Sequence, residues 1–298
     1  MRKHFPGVTC FLDAGGRYSH SKDAPLVFAG VGIWSSAVDR VREALLASVP
    51  SGLCKWSESE GDVNIPKAIF RLMAKRQLYG SVNVIWKTGP AWDRYHQAGQ
   101  LIYEKGAKKA QEAIPYAKPM ATLKIHLFGN IMADLYGHML GHNRHLFPKK
   151  NGSLQTVRVT AVIDSDVHGE VNQRVFKDVL EGVNDLPNTE GETRIKTEFS
   201  IVLKTEQEEP LLYLADHLAG LFYSRRAYGT TSENDRIDLI RAAESVISKW
   251  PTTCLRLREN VFDDNYLLED SVFDHALPRE KREELLRELE ESNLSNGF

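Results

Sequence analysis

The chain has 298 residues, of which 42% are hydrophobic and 26% are charged, and its formal net charge is -2. This apolar fraction excludes general disorder, because it supplies enough surface to build a core. No apolar run approaches the roughly 18 residues of a membrane-spanning helix, and the N-terminal run ends at Asp13, so neither membrane association nor a signal peptide is expected.

Strand and helix patterns alternate in the first part of the chain. Val8–Asp13 and Leu26–Trp34 are apolar and rich in β-branched residues, which is typical of buried strands. Ser35 and Ser36 are suited to cap a helix over Ala37–Val49. The next predicted elements are a loop over 51–61, a helix over Ile65–Leu78 and a strand over Ser81–Lys87.

The same alternation continues toward the C-terminus after a long helical pattern from Trp92 to about Leu146. It predicts an α/β layered fold in which helices cover both faces of a sheet, at least in part. The later predicted elements are a strand over Thr156–Asp164, a helix over Asn172–Leu180, a strand over Lys196–Lys204, a helix opened by Pro210, and a helix from about Asp235 to Trp250.

Three aspartates occupy informative positions. Asp13 and Asp164 end predicted strands, and Asp216 lies inside the apolar helix LLYLADHLAGLF. Ligands of α/β sheets bind at strand ends, and carboxylate oxygens suit Mg²⁺ and Mn²⁺. The three side chains therefore suit one or two divalent ions for phosphodiester hydrolysis. Taken singly, Asp13 also fits a turn, Asp164 an Asx-turn or helix cap, and Asp216 a solvent-facing stripe.

The order of three motifs resembles one protein family. LDAGG on the opening strand, IDSD on a later strand and EPLLYLADHLAG on a helix resemble the bacterial and phage family called domain of unknown function 3800, over residues 8–225. The resemblance implies an α/β fold of ribonuclease H type: a mixed sheet flanked by helices, with a helical insertion and a charged C-terminal helical tail. The expected domain is 1–252 with the insertion at about 91–150, and the tail is 253–298.

The resemblance also implies roles for individual residues. Asp13, Asp164 and Asp216 would be the metal ligands for Mg²⁺ or Mn²⁺, and Lys55 would contact phosphate or stabilise charge. The family has Glu at the position of Leu53, so a fourth acid is missing there. Glu58 and Glu60 lie in the nearby loop SESEG, and we expect one of them, Glu58 first, to approach the aspartates when metal binds.

The function expected from these features is metal-dependent hydrolysis of nucleic acid, and the family's presence on mobile elements implies a role in phage defence or mobile-element conflict. The alternative is a catalytically degenerate module that binds nucleic acid or a partner protein. Basic residues form two groups, at 105–124 and at 144–158, which would steer the substrate. Solvated helix and loop faces explain these groups equally well.

The tail and the cysteines suggest partners and a compartment. Residues 255–298 hold twelve acidic and six basic side chains, so the tail is a candidate docking element for a protein partner. Cys10, Cys54 and Cys254 form no CxxC pair, which favours a reducing, cytoplasmic setting.

A second metal-binding pattern lies on the helix near residue 130. Asp134, His138 and His142 follow one another at steps of four residues, preceded at the same spacing by His126 and Asn130. Such residues share one helix face and suit zinc or another transition metal, which would make the chain a histidine-based metallohydrolase. A plain polar face on an otherwise apolar helix is the alternative, and a proton shuttle near phosphate is a third.

Overall fold

The computed structural model describes residues 7–15, 25–49, 52–59, 62–87, 119–142, 155–164, 195–228 and 236–262. The strands in these ranges are β1 (Val8–Gly15), β2 (Leu26–Trp34), β3 (Tyr79–Lys87), β4 (Gln155–Asp164), β5 (Ile195–Lys204) and β6 (Leu255–Phe262). The α-helices are α1 (Val38–Ser48), α2 (Asn64–Lys75), α3 (Pro119–His142), α4 (Leu212–Tyr228) and α5 (Ile237–Ile247).

The six strands form one mixed sheet in the order β5-β4-β1-β2-β3-β6. β1, β2 and β3 pair antiparallel as a meander, whereas β4 and β5 run parallel to β1 on one side and β6 runs parallel to β3 on the other. The predicted fold class, an α/β mixed sheet flanked by helices, is confirmed.

Helices cover both faces of the sheet, so its central strands are apolar on both sides. α3 packs on one face against alternate residues of the strands, including Cys10 and Leu12. The other helices pack on the opposite face, where Phe11 and Val162 point. Because successive side chains of a strand point to opposite faces, Asp13 and Asp164 share the face of Phe11 and Val162, which α4 covers.

Two glycines of β2 allow α3 to approach the sheet closely. A Cβ on Gly30 would lie 2.7 Å from Ile131, and one on Gly32 would lie 2.7 Å from the Met139 sulfur. A side chain at either position would force the facing side chains to shift, so the glycines in LVFAGVGIW allow this close packing of helix and strand.

The start of α1 differs from the predicted cap. Ser35 begins a 3₁₀ turn over Ser35–Ala37, and α1 starts at Val38 with no side-chain cap from Ala37. The Ser35 hydroxyl instead pairs with the Thr9 hydroxyl at 3.0 Å, because the turn brings it back over β1. The Ser35–Ser36 cap was therefore wrong, although the helix was predicted correctly to within a residue at each end.

β6 lies within the region assigned to the tail. Leu255–Phe262 pairs with β3 along its whole length, so these residues belong to the sheet. The rest of the tail (263–298), the predicted helix Asn172–Leu180 and the remainder of the 91–150 insertion around α3 fall outside the described residues. Among the described helices, none is both long and apolar enough to cross a membrane.

Candidate metal centre

Three neighbouring parallel strands bring carboxylates together at their C-terminal ends. Leu12 of β1 pairs with Ile163 of β4, so Asp13 and Asp164 follow as the next residues in register. Glu206 comes two residues after β5, the strand beside β4. One carboxylate oxygen from each of Asp13, Asp164 and Glu206 lies within 4.8 Å of the others. We call these three residues the carboxylate cluster.

The cluster is mostly shielded from solvent. Glu206 is only 2% exposed and Asp13 only 7% exposed, and the Asp164 side chain is 15% exposed. Carboxylates grouped at low dielectric repel one another, so such a group is stable only with positive charge beside it.

A tight turn after β5 directs Glu206 into the cluster. The amide of Glu209 donates to the Thr205 carbonyl at 2.9 Å, and the exposed Glu208 carboxylate accepts from the Thr205 amide at 2.9 Å. Glu209 turns the other way and accepts two hydrogen bonds from the Arg42 guanidinium of α1, at 3.0 and 2.8 Å. The three glutamates of this turn therefore have three separate roles, and only Glu206 faces the strand ends.

Lys55 supplies the positive charge at the cluster. Its ammonium forms an ion pair with Glu206 and lies 3.9 Å from Asp164 Oδ2. Burial alone would lower the pKa of Lys55, but Glu206, Asp164 and Asp13 together raise it above its ordinary value. Lys55 is therefore fully charged at neutral pH. Its side chain is still 35% exposed, so it borders both the cluster and the solvent.

Asp216 holds the segment that carries Lys55, which is residues 52–59 and is here called the KWS loop. The Trp56 amide donates to Asp216 Oδ2 at 2.6 Å, and Trp56 Nε1 donates to the Ser224 hydroxyl at 2.9 Å. Both acceptors belong to α4, so this helix fixes Trp56, the residue next to Lys55.

The small residues of the ADHLAG motif explain why the KWS loop fits on α4. A Cβ added to Gly220 would lie 2.2 Å from Trp56 Cγ, so the indole occupies the space that a side chain would take. Ala219 packs in the same way against β1, with its carbonyl 3.3 Å from a Cβ placed on Gly15. The motif therefore brings β1, the KWS loop and α4 into direct contact.

Burial shifts the pKa values of two neighbouring side chains of α4, Asp216 and His217, in opposite directions. Burial raises the pKa of Asp216 to about 7, and the charges of Glu206 and Asp164 add to this, although the Trp56 amide and Lys55 oppose it. Burial lowers the pKa of His217 to about 4. His217 Nδ1 lies 2.9 Å from the Tyr213 carbonyl, to which a neutral imidazole donates.

The predicted site residues fall into two groups. Asp13 and Asp164 come together as expected, with Lys55 beside them. Asp216 is not a member of the carboxylate cluster, where Glu206 stands in its place. Glu58 is exposed and accepts a 3.2 Å hydrogen bond from the Lys55 amide, so it caps its own loop rather than facing the strand ends. Glu60 lies outside the described residues.

The sequence contains a signal for Glu206 that its neighbours obscure. The rule that selects Asp13 and Asp164, an acid at the end of a strand, also selects the residues after Lys204. The segment TEQEEP offers three glutamates there, and only the turn geometry shows which one faces the cluster.

The other predicted sites are rearranged or lie outside the described residues. The Asp134 carboxylate accepts from Arg258 and lies 3.7 Å from Arg256 Nη1, both on β6, so it does not join His138 and His142. Of the basic residues, Arg158 is exposed and 3.4 Å from Glu198, whereas the side chains at 105–124 and 144–150, and that of His126, are not described.

Comparisons with known proteins found similar solved structures but no matching family model and no matching curated sequence. Similar solved structures include RNase HII in its PCNA complex from Archaeoglobus fulgidus, at 16% identity and a TM-score of 0.36, covering 84% of this chain and 93% of that one. Ribonuclease H2 of Pyrococcus horikoshii OT3 has 13% identity and a TM-score of 0.36, over 82% and 99%. Bst-RNase HIII in complex with Mn²⁺ has 14% identity and a TM-score of 0.34, over 82% and 65%.

Proposed function

We propose that this protein is a nuclease that depends on a divalent metal, with Asp13, Asp164 and Glu206 as the residues that hold Mg²⁺ or Mn²⁺. The observation that supports this most is the carboxylate cluster itself, in which three strand ends bring one oxygen each within 4.8 Å of the others. A nucleic acid is the proposed substrate. The role in phage defence or mobile-element conflict is proposed from the family resemblance alone.

The donor set fits a hard dication. All three groups offer carboxylate oxygens, which Mg²⁺ and Mn²⁺ prefer over nitrogen or sulfur donors. The mutual repulsion of the buried carboxylates favours a compact positive charge between them. A bound dication would supply Lewis-acid stabilisation of the charge that develops on a phosphodiester during hydrolysis.

Lys55 is the proposed phosphate contact. Its ammonium is held at the solvent border of the cluster by Glu206 and Asp164, and it is charged at neutral pH. A charged donor in a fixed position can bind a phosphate oxygen and stabilise the negative charge that increases there. Asp216 is proposed as a positioning residue, because its carboxylate holds the Trp56 amide next to Lys55.

The test combines Mn²⁺ calorimetry with cleavage assays on labelled DNA, RNA and RNA–DNA hybrid. Asp164→Asn and Glu206→Gln should each lower Mn²⁺ affinity at least tenfold, or about 1.4 kcal/mol, and abolish cleavage. Glu208→Gln is the matched control, because it makes the same change in the same turn at an exposed side chain and keeps an oxygen that can accept from the Thr205 amide. Glu58→Gln tests the predicted fourth acid.

Two outcomes would contradict the proposal. Unchanged Mn²⁺ affinity in both cluster variants would show that the cluster is not the metal site. Normal Mn²⁺ binding by a wild-type protein that cleaves none of the substrates would instead favour the degenerate binding module.

A further inference from the structure

Two histidines lie side by side at the end of α3, away from the carboxylate cluster. His138 and His142 are one helical turn apart, and their Nε2 atoms are 3.1 Å from each other. The ring centres are 4.5 Å apart, and the ring planes are nearly perpendicular at 89°. Both rings also contact Tyr79 edge to face, with centres at 5.4 and 6.0 Å.

The two nitrogens lie within hydrogen-bond distance, but the rings are not collinear. A linear N–H···N bond of this length would hold the ring centres about 5.3 Å apart, since each nitrogen lies about 1.1 Å from its ring centre. The observed 4.5 Å is shorter, so at least one ring is strongly inclined to the line between the nitrogens.

Two ligands of one metal ion have such an inclination. With metal–nitrogen bonds of about 2.0–2.1 Å and an angle of about 90–110° at the ion, the two nitrogens lie about 2.9–3.4 Å apart and the ring centres about 4.5–5.2 Å apart. The observed nitrogen separation of 3.1 Å corresponds to ring centres about 4.8 Å apart in this geometry, and the observed 4.5 Å is within about 0.3 Å of that value.

The surroundings of His138 favour the form that binds metal. It is 7% exposed, and burial is the main reason that its pKa is lowered to about 4, with Arg256 and His142 contributing. The ring is therefore neutral at pH 7, as a ligand must be. A hydrogen bond to the Thr253 backbone holds the imidazole, which is the kind of outer contact that orients metal-binding histidines.

The rest of the coordination sphere would be open. Within the described part of the chain, no third His, Cys, Asp or Glu joins this pair at ligand distances. Arg256 is the nearby cation, and the Asp134 carboxylate 3.7 Å from its Nη1 offsets part of its charge. Solvent would then complete the sphere around an ion held by two nitrogens.

From this geometry we infer that His138 and His142 form a second metal site, which takes a nitrogen-preferring transition-metal ion such as Cu²⁺, Ni²⁺ or Zn²⁺. Imidazole suits these ions, whereas Mg²⁺ prefers oxygen. The pair lies on the α3 face near the start of β3, and the carboxylate cluster lies on the α4 face at the end of β1. The two sites are separate and are expected to fill independently.

Copper binding to the full chain tests the site. Electron paramagnetic resonance of one equivalent of Cu²⁺ should show coupling to two imidazole nitrogens, and calorimetry should give a single tightest site. His142→Ala removes an exposed ring, so it should leave the fold intact while lowering Cu²⁺ affinity at least tenfold and removing the two-nitrogen signal. His138→Ala is the second variant, with circular dichroism to check folding.

The control is Asp164→Asn, which should leave Cu²⁺ binding unchanged, just as His142→Ala should leave Mn²⁺ binding unchanged. Copper spectra that are identical in wild type, His142→Ala and a folded His138→Ala would overturn the inference. A loss of copper binding in Asp164→Asn alone would also overturn it, because the ion would then occupy the carboxylate cluster.

Discussion

At the scale of single residues, Asp216 shows how a partly buried carboxylate can hold a neighbouring loop. Its oxygen accepts the Trp56 amide at 2.6 Å, and that bond satisfies a donor which the KWS loop would otherwise bury. Burial still penalises its charged form, so its pKa is about 7. The native chain therefore binds a proton at Asp216 at pH values where the unfolded chain has already released it.

This difference predicts how stability depends on pH in the presence of a chelator. Between about pH 4 and pH 7 the native state retains the Asp216 proton, so its contribution to the free energy of unfolding falls as pH rises, by at most about 1.4 kcal/mol per unit. Asp216→Asn keeps the acceptor and removes the titration. Urea unfolding of both proteins should show the variant gaining stability over the wild type across this window, with a constant difference above it.

His138 titrates in both proteins and has no contact with Asp216 among those described, so its effect cancels when the two curves are subtracted. A difference that stays constant from pH 4 to pH 7 would contradict the raised pKa of Asp216.

The sequence predicts Asp216 as the third residue of the site, whereas the third member of the carboxylate cluster is Glu206. A carboxylate inside LLYLADHLAGLF must have a partner, and the sequence gives no means to distinguish a metal from a backbone amide. The partner here comes from a loop 160 residues earlier in the chain. Asp13 and Asp164 could be predicted, because each follows an apolar strand pattern in the sequence and the two strands pair in parallel.

At the scale of elements, the contact between α4 and the KWS loop depends on the absence of a side chain at Gly220. Trp56 is 3% exposed and lies over Gly220. Packing this indole against the helix fixes the backbone of the neighbouring Lys55, which in turn reaches Glu206.

Gly220→Ala should therefore destabilise the protein, although alanine is the better helix former. Helix propensity alone would add about 1 kcal/mol of stability, but the new methyl group would clash with Trp56 at 2.2 Å, and overpacking of this kind costs about 1–3 kcal/mol or more. Chemical unfolding should show a net loss. Gly137→Ala in α3 is the control, since nothing lies within 4 Å of its added Cβ, and it should be neutral or stabilising.

A stabilising effect of Gly220→Ala equal to that of Gly137→Ala would show that the indole does not occupy this position. The tryptophan fluorescence of the Gly220 variant, compared with wild type, reports whether Trp56 has moved.

At the scale of the whole molecule, β6 joins the two helical layers across the edge of the sheet. Glu259 pairs with Arg226 of α4, and the adjacent residue Arg258, which points to the other face of the sheet, pairs with Asp134 of α3. The strand was missed because LRLRENVF is rich in charge, which is typical of a solvated tail. Charged side chains also suit an edge strand, because they discourage pairing with other chains.

A chain that ends at residue 252 should therefore be less stable than one that ends at residue 262. The shorter chain lacks β6, so β3 loses its parallel partner and the Gly80 amide loses the Cys254 carbonyl, its acceptor at 2.8 Å. Thermal unfolding and light scattering should show a lower Tm and more aggregation for the shorter chain, because an uncovered sheet edge favours association. Equal stability of the two chains would mean that β6 adds nothing to the sheet.

The ammonium of Lys55 gives the carboxylate cluster a counterion that is part of the chain itself. Folding therefore does not have to wait for an ion, in contrast to small zinc domains that collapse only around their metal. The chain is therefore expected to fold in a chelating environment. Under the proposed function, metal supply would control activity, and not how much folded protein is present.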